Sequence, residues 1–489
     1  MDAAVTETNT AVVVFVGDRA YKLKKPVNLG FVDFTSRAAR ARACAREVEL
    51  NRRLSPDVYL GVADVTGPDG ALCDHLVVMR RLPAERRLAT LVRAGAGMED
   101  VMVDLARLLA AFHASAERSA AADDAARPAS VRRRWRDNTD GLRRHGRDLL
   151  DPCEIDRVDA LAAAYLAGRA RLFEQRISAG RAVDGHGDLL ADDVFLLEDG
   201  PRILDCLEFD DGLRLGDTLA DVAFLAMDLE HLGRPDLATR FLAAYADHAG
   251  DTWPASLAHH HVAYRAQVRA KVAAIRSGQG APGAAAEARR LLALCCRHLD
   301  AATVRLVLVG GLPGTGKSTL AAGLGDALGA TILRSDEVRK QLAGLDPHRR
   351  ADAPYGTGLY RAGVTEATYA ALLDRAAAAL AGGESVILDA SWLAGRRRRR
   401  ARQLASTHHA ALSELRCDAP PALAGRRLTD RRLAGGDPSD ATPAIAAAMR
   451  GDADPWPEAT VIDTAQDRSA SLVAARVAVA RAAAGAVSS

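Results

Sequence analysis

The stretch VRLVLVGGLPGTGKSTLAAGLGDALG, residues 304–329, leaves a chain few folds to choose from. An apolar run passes directly into a glycine-rich turn, and the turn directly into a helical pattern. Gly311-Leu-Pro-Gly314-Thr315-Gly316-Lys317-Ser318 satisfies G-x-x-x-x-G-K-[ST] at every position. Such a loop turns several backbone N–H groups toward one point at a helix N-terminus, where phosphate oxygens are received. Lys317 is then expected on the β- and γ-phosphates of ATP and Ser318 on Mg²⁺, with Gly311, Gly314, Thr315, Gly316 and Thr319 completing the cradle. The surrounding alternation of strands and helices calls for a parallel sheet with flanking helices.

The residues that follow extend this pattern. ILRSDEVRKQL places Asp336 and Arg339 just after the expected second strand, and ESVILDASWL puts Asp389 at the end of another apolar strand. In open α/β sheets that carboxyl edge is where ligands sit. RRLTDRRLAGGDPSD supplies Arg427, Arg431 and Arg432 at helical spacing. By the order of these motifs, residues 303–450 resemble the P-loop kinases of the polynucleotide kinase and zeta-toxin type. The resemblance implies that Asp336 is the base toward an acceptor hydroxyl, with Arg339 on the acceptor. It also implies Asp389 near the metal, and Arg427 and Arg431 as lid arginines on the transferring phosphoryl. From the residues alone, Asp389 as a turn cap and each arginine as a solvated charge stay open. The run GRRRRRAR at 395–402 has no aromatic residue interleaved, and reads as the exposed start of a helix rather than a nucleic-acid patch.

Upstream, the pieces of a second phosphotransfer site occur in order. A kinase-like fold needs a lysine on the phosphates, a helix carboxylate to hold it, a catalytic Asp and Mg²⁺ ligands. AYKLKK offers Lys22 on a strand, with Lys24 on the same face by period two. CAREVEL offers Glu47, with Glu49 a near competitor, and HGDL offers Asp188 in a tight loop. ILDCLEFDD offers Asp205, 17 residues beyond Asp188. Lysine occurs only at 22, 24, 25, 271, 317 and 340, against abundant arginine. A compact ammonium fits a phosphate where a planar fork does not, so those positions merit weight. Residues 8–300 resemble the aminoglycoside phosphotransferase and choline kinase superfamily, LLAAFHA around His113 included. The whole chain is similar to bacterial proteins that fuse such a domain to a P-loop kinase domain. The resemblance implies Lys22 and Glu47 on the nucleotide, Asp188 as the base, and Asp193 with Asp205 as Mg²⁺ ligands.

Several features depart from that pattern. No G-x-G-x-x-G covers the nucleotide, and only TETNT precedes the first strand of the reading, so an abbreviated N-terminal lobe is expected. Asp193 stands where Asn usually holds the second Mg²⁺, and carboxylate is the better hard-cation ligand. The acidic segment reaching Asp217 and Asp221 would suit a cationic acceptor such as an amino sugar or a choline-like amine, with helix capping an equal alternative. Arg265, Arg269 and Lys271 share a helix face, either near the cleft or in solvent.

At 489 residues the chain has room for two or three domains. GQGAPG at 278–283 and the fresh strand after residue 300 suggest a kinase domain over 1–300 and a P-loop domain over 301–489. The expected fold class is α/β in two domains: a bilobal protein-kinase-like α+β fold, then a P-loop NTPase parallel sheet with flanking helices. A net charge of +2 gives no argument for nucleic acid or membrane as partner. The seven cysteines show no metal spacing, and Cys295 and Cys296 read as core filling in a cytoplasmic protein. The start MDAAVTETNT lacks a signal peptide's basic and apolar regions. These features point to a kinase using ATP and Mg²⁺ on a small-molecule or sugar hydroxyl at two sites. Two alternatives stay open: an ATP-binding regulatory or pseudokinase protein, and a nucleotide-sugar or nucleic-acid-end kinase active only through its P-loop.

Overall fold

The first eighty residues fold as an antiparallel sheet backed by one helix. In the computed structural model, which describes residues 4–7, 10–28, 33–346, 349, 354–434 and 439–485, this sheet contains β1 (Ala4–Glu7), β2 (Ala11–Val16), β3 (Arg19–Lys24), β4 (Tyr59–Thr66) and β5 (Leu72–Arg80). Their order is β1-β2-β3-β5-β4. Gly17 takes φ +59° in the turn joining β2 to β3, a conformation that favours glycine. The lobe is therefore not abbreviated as expected, because β1 pairs with β2 ahead of the expected first strand. All four β1 residues are exposed, so no buried face marks it in the sequence. β4 is also unannounced, since Gly61 and Ala63 dilute its apolar alternation.

The helix Arg37–Asn51 starts at Ser36, whose side chain accepts the Ala39 N–H at 3.1 Å. Its Cys44 and Val48 pack with Ala20, Val77 and Met79 of the sheet. Glu47 is thereby carried inward, and it is fully buried. Helices follow, interrupted by two small antiparallel sheets. β6 (Ala182–Asp184) pairs with β9 (Leu215–Asp217), and β7 (Val194–Leu197) pairs with β8 (Gly200–Ile203).

The second sheet is parallel throughout. It comprises β10 (Arg305–Gly310), β11 (Thr331–Arg334), β12 (Val386–Asp389), β13 (Ala411–Asp418) and β14 (Thr460–Asp463), in the order β11-β12-β10-β13-β14. The connection from β10 runs to β11 on one side and that from its neighbour β12 runs to β13 on the other, so the ends of these two strands form a topological switch point. Val307, Val309, Ile387 and Leu415 form its core with Leu320 and Leu324 of the helix Lys317–Leu328. Two compact units result. One holds Met1–Leu150, Glu174–Trp253 and His261–Cys295; the other holds Asp151–Phe173, Pro254–His260 and Cys296–Ser489. Among the described residues, no helix is long and apolar enough to cross a membrane. Cys295 and Cys296 are buried free thiols.

Candidate active sites

In the first unit β3 directs Lys22 toward Glu47 and Asp205. The Lys22 Nζ lies 2.8 Å from Glu47 Oε1 and 2.7 Å from Asp205 Oδ1. Burial works to lower the ammonium's pKa, but Asp205 and Glu47 outweigh it and hold Lys22 well above its ordinary value. Glu49 faces solvent and pairs with Arg46, so Glu47 is the helix carboxylate of the pair. Asp205 sits just beyond β8 at φ +62°, where a non-glycine residue is uncommon. Its backbone N–H donates to the Tyr59 hydroxyl at 3.2 Å, and the next N–H, of Cys206, donates to Asn51 Oδ1 at 2.9 Å. These bonds hold the strained turn in place.

The HGDL loop hangs from Asp221. Its two carboxylate oxygens accept the His186 and Gly187 N–H groups, each at 2.8 Å. His113 Nε2 lies 3.1 Å from the same carboxylate, and its Nδ1 lies 2.7 Å from the Tyr245 hydroxyl. Burial would raise the Asp221 carboxyl, but His113 and the His186 N–H outweigh it and hold it well below the usual carboxylate range. Asp217 caps the helix Thr218–His231 and pairs with the buried Arg176. Asp217 and Asp221 are thus internal, and neither offers a surface to a cationic acceptor. Of the two readings the sequence left open, helix capping holds for Asp217, which accepts the Leu219 N–H at 2.8 Å, while the loop support by Asp221 depends on partners far along the chain.

Around the loop, Arg53 donates to the Asp184 and Gly185 carbonyls at 3.1 and 2.8 Å. Arg265 is buried and donates to the Ala220 carbonyl at 2.9 Å, with its Nη1 3.4 Å from the Gly187 carbonyl. Lys271 instead turns to Asn138 Oδ1 at 2.5 Å, so the basic helix face is neither shared nor wholly solvated. Burial pushes the Asp188 carboxyl up to about 6, with Arg269 opposing and Asp205 adding. The Asp193 carboxyl is pushed well above the usual range by burial, then by Asp205 and Asp188. This crowding of carboxylates is what a divalent cation would relieve. Among the described residues no three His, Cys, Asp or Glu side chains form a metal cage. Mg²⁺ takes one or two carboxylates and completes its shell with phosphates and water, and Asp193 with Asp205 could supply those carboxylates.

The second unit builds its site on backbone. Gly314 has φ +81°, and a Cβ there would stand 2.5 Å from the Ala424 carbonyl oxygen of the helix Pro421–Ala434. Only glycine fits. Lys317 opens its helix, and its Nζ reaches back to the Leu312 carbonyl at 3.0 Å. Two cavities meet at Lys317, Ser318 and Arg431. One, of ≈ 380 Å³, is also lined by Asp336, Arg339 and Asp389. The other, of ≈ 580 Å³, is also lined by Gly316, Thr319 and Arg427.

Burial pushes the Asp336 carboxyl up, with Arg339 opposing. Arg339 is held by the Leu359 carbonyl and the Thr365 hydroxyl, each at 3.0 Å, with its guanidinium 4.7 Å from the Tyr360 ring centroid. Asp389 Oδ2 lies 3.3 Å from Arg334 Nε. Arg427 donates to the Thr464 carbonyl at 2.8 Å, while its Nη1 is buried without a partner. That nitrogen lies 3.6 Å from where a Gly316 Cβ would be, so an anion on the loop would satisfy it. Arg432 lines neither cavity. In the arginine run, Arg396, Arg397 and Arg400 converge on Glu366, and Arg398 is buried under backbone carbonyls. The helix Gly395–Thr407 starts there as expected, with its charges mostly engaged within the protein.

Comparison with known proteins finds two matching family models. The family model described as phosphotransferase enzyme family matches residues 9–259, and one described as AAA domain matches residues 306–456. Uncharacterised proteins of Mycobacterium bovis and Mycobacterium tuberculosis are 46% identical over 468 residues, covering 96% of this chain and 93% of theirs. Among solved structures, a choline/ethanolamine kinase family protein from Mesorhizobium loti is 13% identical, covering 61% of this chain and 92% of its own, with TM-score 0.37. A gluconokinase from Sinorhizobium meliloti is 18% identical, covering 37% of this chain and 95% of its own, with TM-score 0.28.

Proposed function

Since the chain belongs to the phosphotransferase enzyme family, with a P-loop kinase-like domain in its C-terminal part, we propose that it transfers the γ-phosphate of ATP at two separate sites. Each acceptor is the hydroxyl of a small molecule, and at the second site the ≈ 380 Å³ cavity beside Asp336 has the size to hold one. The observation that carries this reading is the convergence, in each unit, of a lysine, a carboxyl pushed up by burial and further side-chain oxygens. In the first unit these are Lys22, Asp188, and Asp193 with Asp205. In the second they are Lys317, Asp336, and Ser318 with Asp389. Mg²⁺, when bound with ATP, would neutralise charge on the phosphates. Glu47 orients Lys22 toward the α- and β-phosphates, and Lys317 meets the β- and γ-phosphates. Asp188 and Asp336 each take the proton of an acceptor hydroxyl as its oxygen forms the new P–O bond and ADP departs. Arg339 bears on the acceptor, while Arg427 and Arg431 bear on the transferring group. The sequence division at residue 300 stays the working boundary between the two activities.

The test is transfer of radiolabelled γ-phosphate into a metabolite extract by the full-length chain. Asp188→Ala should erase one set of labelled products and Asp336→Asn another. If Asp188→Ala labels the same products at the parent rate, the first unit binds nucleotide without turning it over.

A further inference from the structure

β3 carries a second lysine beside the first, and its surroundings differ. Lys22 keeps 13% of its side chain exposed, whereas Lys24, on the same face, keeps 1%. No nucleotide reaches an ammonium so enclosed. Lys24 Nζ lies 2.6 Å from Glu47 Oε2, pairs also with Glu208 Oε1, and stands 5.5 Å from the centroid of the Phe34 ring. Glu47 thus holds two ammoniums, one on each carboxylate oxygen. Glu208 follows Asp205 by three residues and is itself nearly buried.

We infer that Lys24 is a positioning residue that bolts the metal-ligand segment Asp205–Glu208 to the helix Arg37–Asn51 through Glu208 and Glu47. The inference rests on the reading of Lys22 and Asp205 as a nucleotide and metal site. Its logic is electrostatic. When Lys22 turns from Asp205 to the phosphates, its ammonium is shared between them and Glu47, so the pairing of this fully buried carboxylate weakens, a change folded proteins disfavour. Lys24 keeps it paired. The Asp205 turn would also lose the side-chain tie it has through Lys22, and the Lys24–Glu208 pair retains one at its far end. An arginine serves poorly here, because a planar fork does not sit as a point charge between two carboxylates in a closed space.

The test uses the full-length chain carrying Lys317→Ala, which takes the phosphate lysine from the other site, and follows ATP binding by calorimetry across a Mg²⁺ titration. Lys24→Met and Glu208→Gln should each raise the Mg²⁺ concentration at half-maximal binding about tenfold or more, the size of a lost outer contact at a metal site. Because the two act as one unit, the double variant should be no worse than the worse single variant. A merely structural role would lower the melting temperature without moving the Mg²⁺ midpoint. Should Lys24→Met fail to fold, Glu208→Gln, which keeps shape and removes charge, carries the test alone. Midpoints within about twofold of the parent overturn the tie, provided that Asp205→Ala abolishes Mg²⁺-dependent binding. If Asp205→Ala leaves that binding intact, the nucleotide-site reading falls and this inference with it.

Discussion

The two candidate sites hold their lysine by opposite means. Lys22 is placed by charge: its ammonium bridges Glu47 and Asp205, the latter 183 positions away along the chain. Lys317 is placed by backbone: its ammonium returns to a carbonyl five residues earlier, in a loop whose shape depends on glycine. A site made of converging side chains answers to pH, to metal and to charge substitution. A site made of backbone answers first to volume. The same chemical need is thus met once by tertiary assembly and once by local geometry.

The sharpest attempt to break this comparison removes the two proposed bases. Asp188→Ala and Asp336→Asn should each lower transfer at its own site by about 10²–10⁴-fold, the usual worth of a general base, while ATP affinity stays nearly unchanged. Separate assays with acceptors specific to each site measure this. An equal loss at both sites from either substitution would mean that they do not work separately.

Next comes the support of the loops. Asp221→Ala strips the acceptor from two loop N–H groups and from His113, and should destabilise the first unit by about 2–3 kcal/mol in thermal unfolding. Because the Asp221 carboxyl is held low in the folded state, that stabilisation is present above the unfolded pKa and fades as pH falls toward the folded one. The steric counterpart is Gly314→Val, which should remove nucleotide binding at the P-loop with no such pH dependence, since it acts by collision with the Ala424 carbonyl. A Gly314→Val chain that still binds ATP there would remove the contrast between charge and volume.

A smaller effect is the pH dependence of the first site. With Asp188 raised to about 6, its carboxylate form is lost as pH falls below that value. In a Lys317→Ala chain, kcat/KM should then fall about tenfold per pH unit on the acid side, since that profile reports the free enzyme. A flat profile down to pH 5 would remove Asp188 from the base role. The smallest effect concerns Asp193. Asp193→Asn removes one of the crowded carboxylates and should keep activity within a few-fold while shifting the preference between Mg²⁺ and Mn²⁺, whereas Asp193→Ala should not keep it. Identical metal profiles for Asp193→Asn and the parent would place Asp193 away from the ion.

Much of this was legible in the residues. The P-loop reads from eight consecutive positions because its function needs only a local backbone shape. Lys22, Glu47, Asp188 and Asp205 read from their order because each lies in a distinct local element. What stayed hidden had its cause elsewhere in the fold. Exposed β1 leaves no apolar period. For Asp217 and Asp221 the sequence leaves an acceptor surface and helix capping equally open until Arg176, His113 and the HGDL loop are seen around them. Lys24 looks like a spare for Lys22 until Glu208 closes over it.

By itself the sequence determined the fold classes and the glycine-rich loop, and it singled out the candidate site residues, because hydrophobic period and glycine chemistry act over a few residues. Only the tertiary structure decided which carboxylates face a ligand and which support a loop. An Asp has the same formula in both places. Its role is set by the burial and the charges that distant segments bring to it, as Asp188, pushed up to about 6, and Asp221, held well below the usual range, differ within one small region.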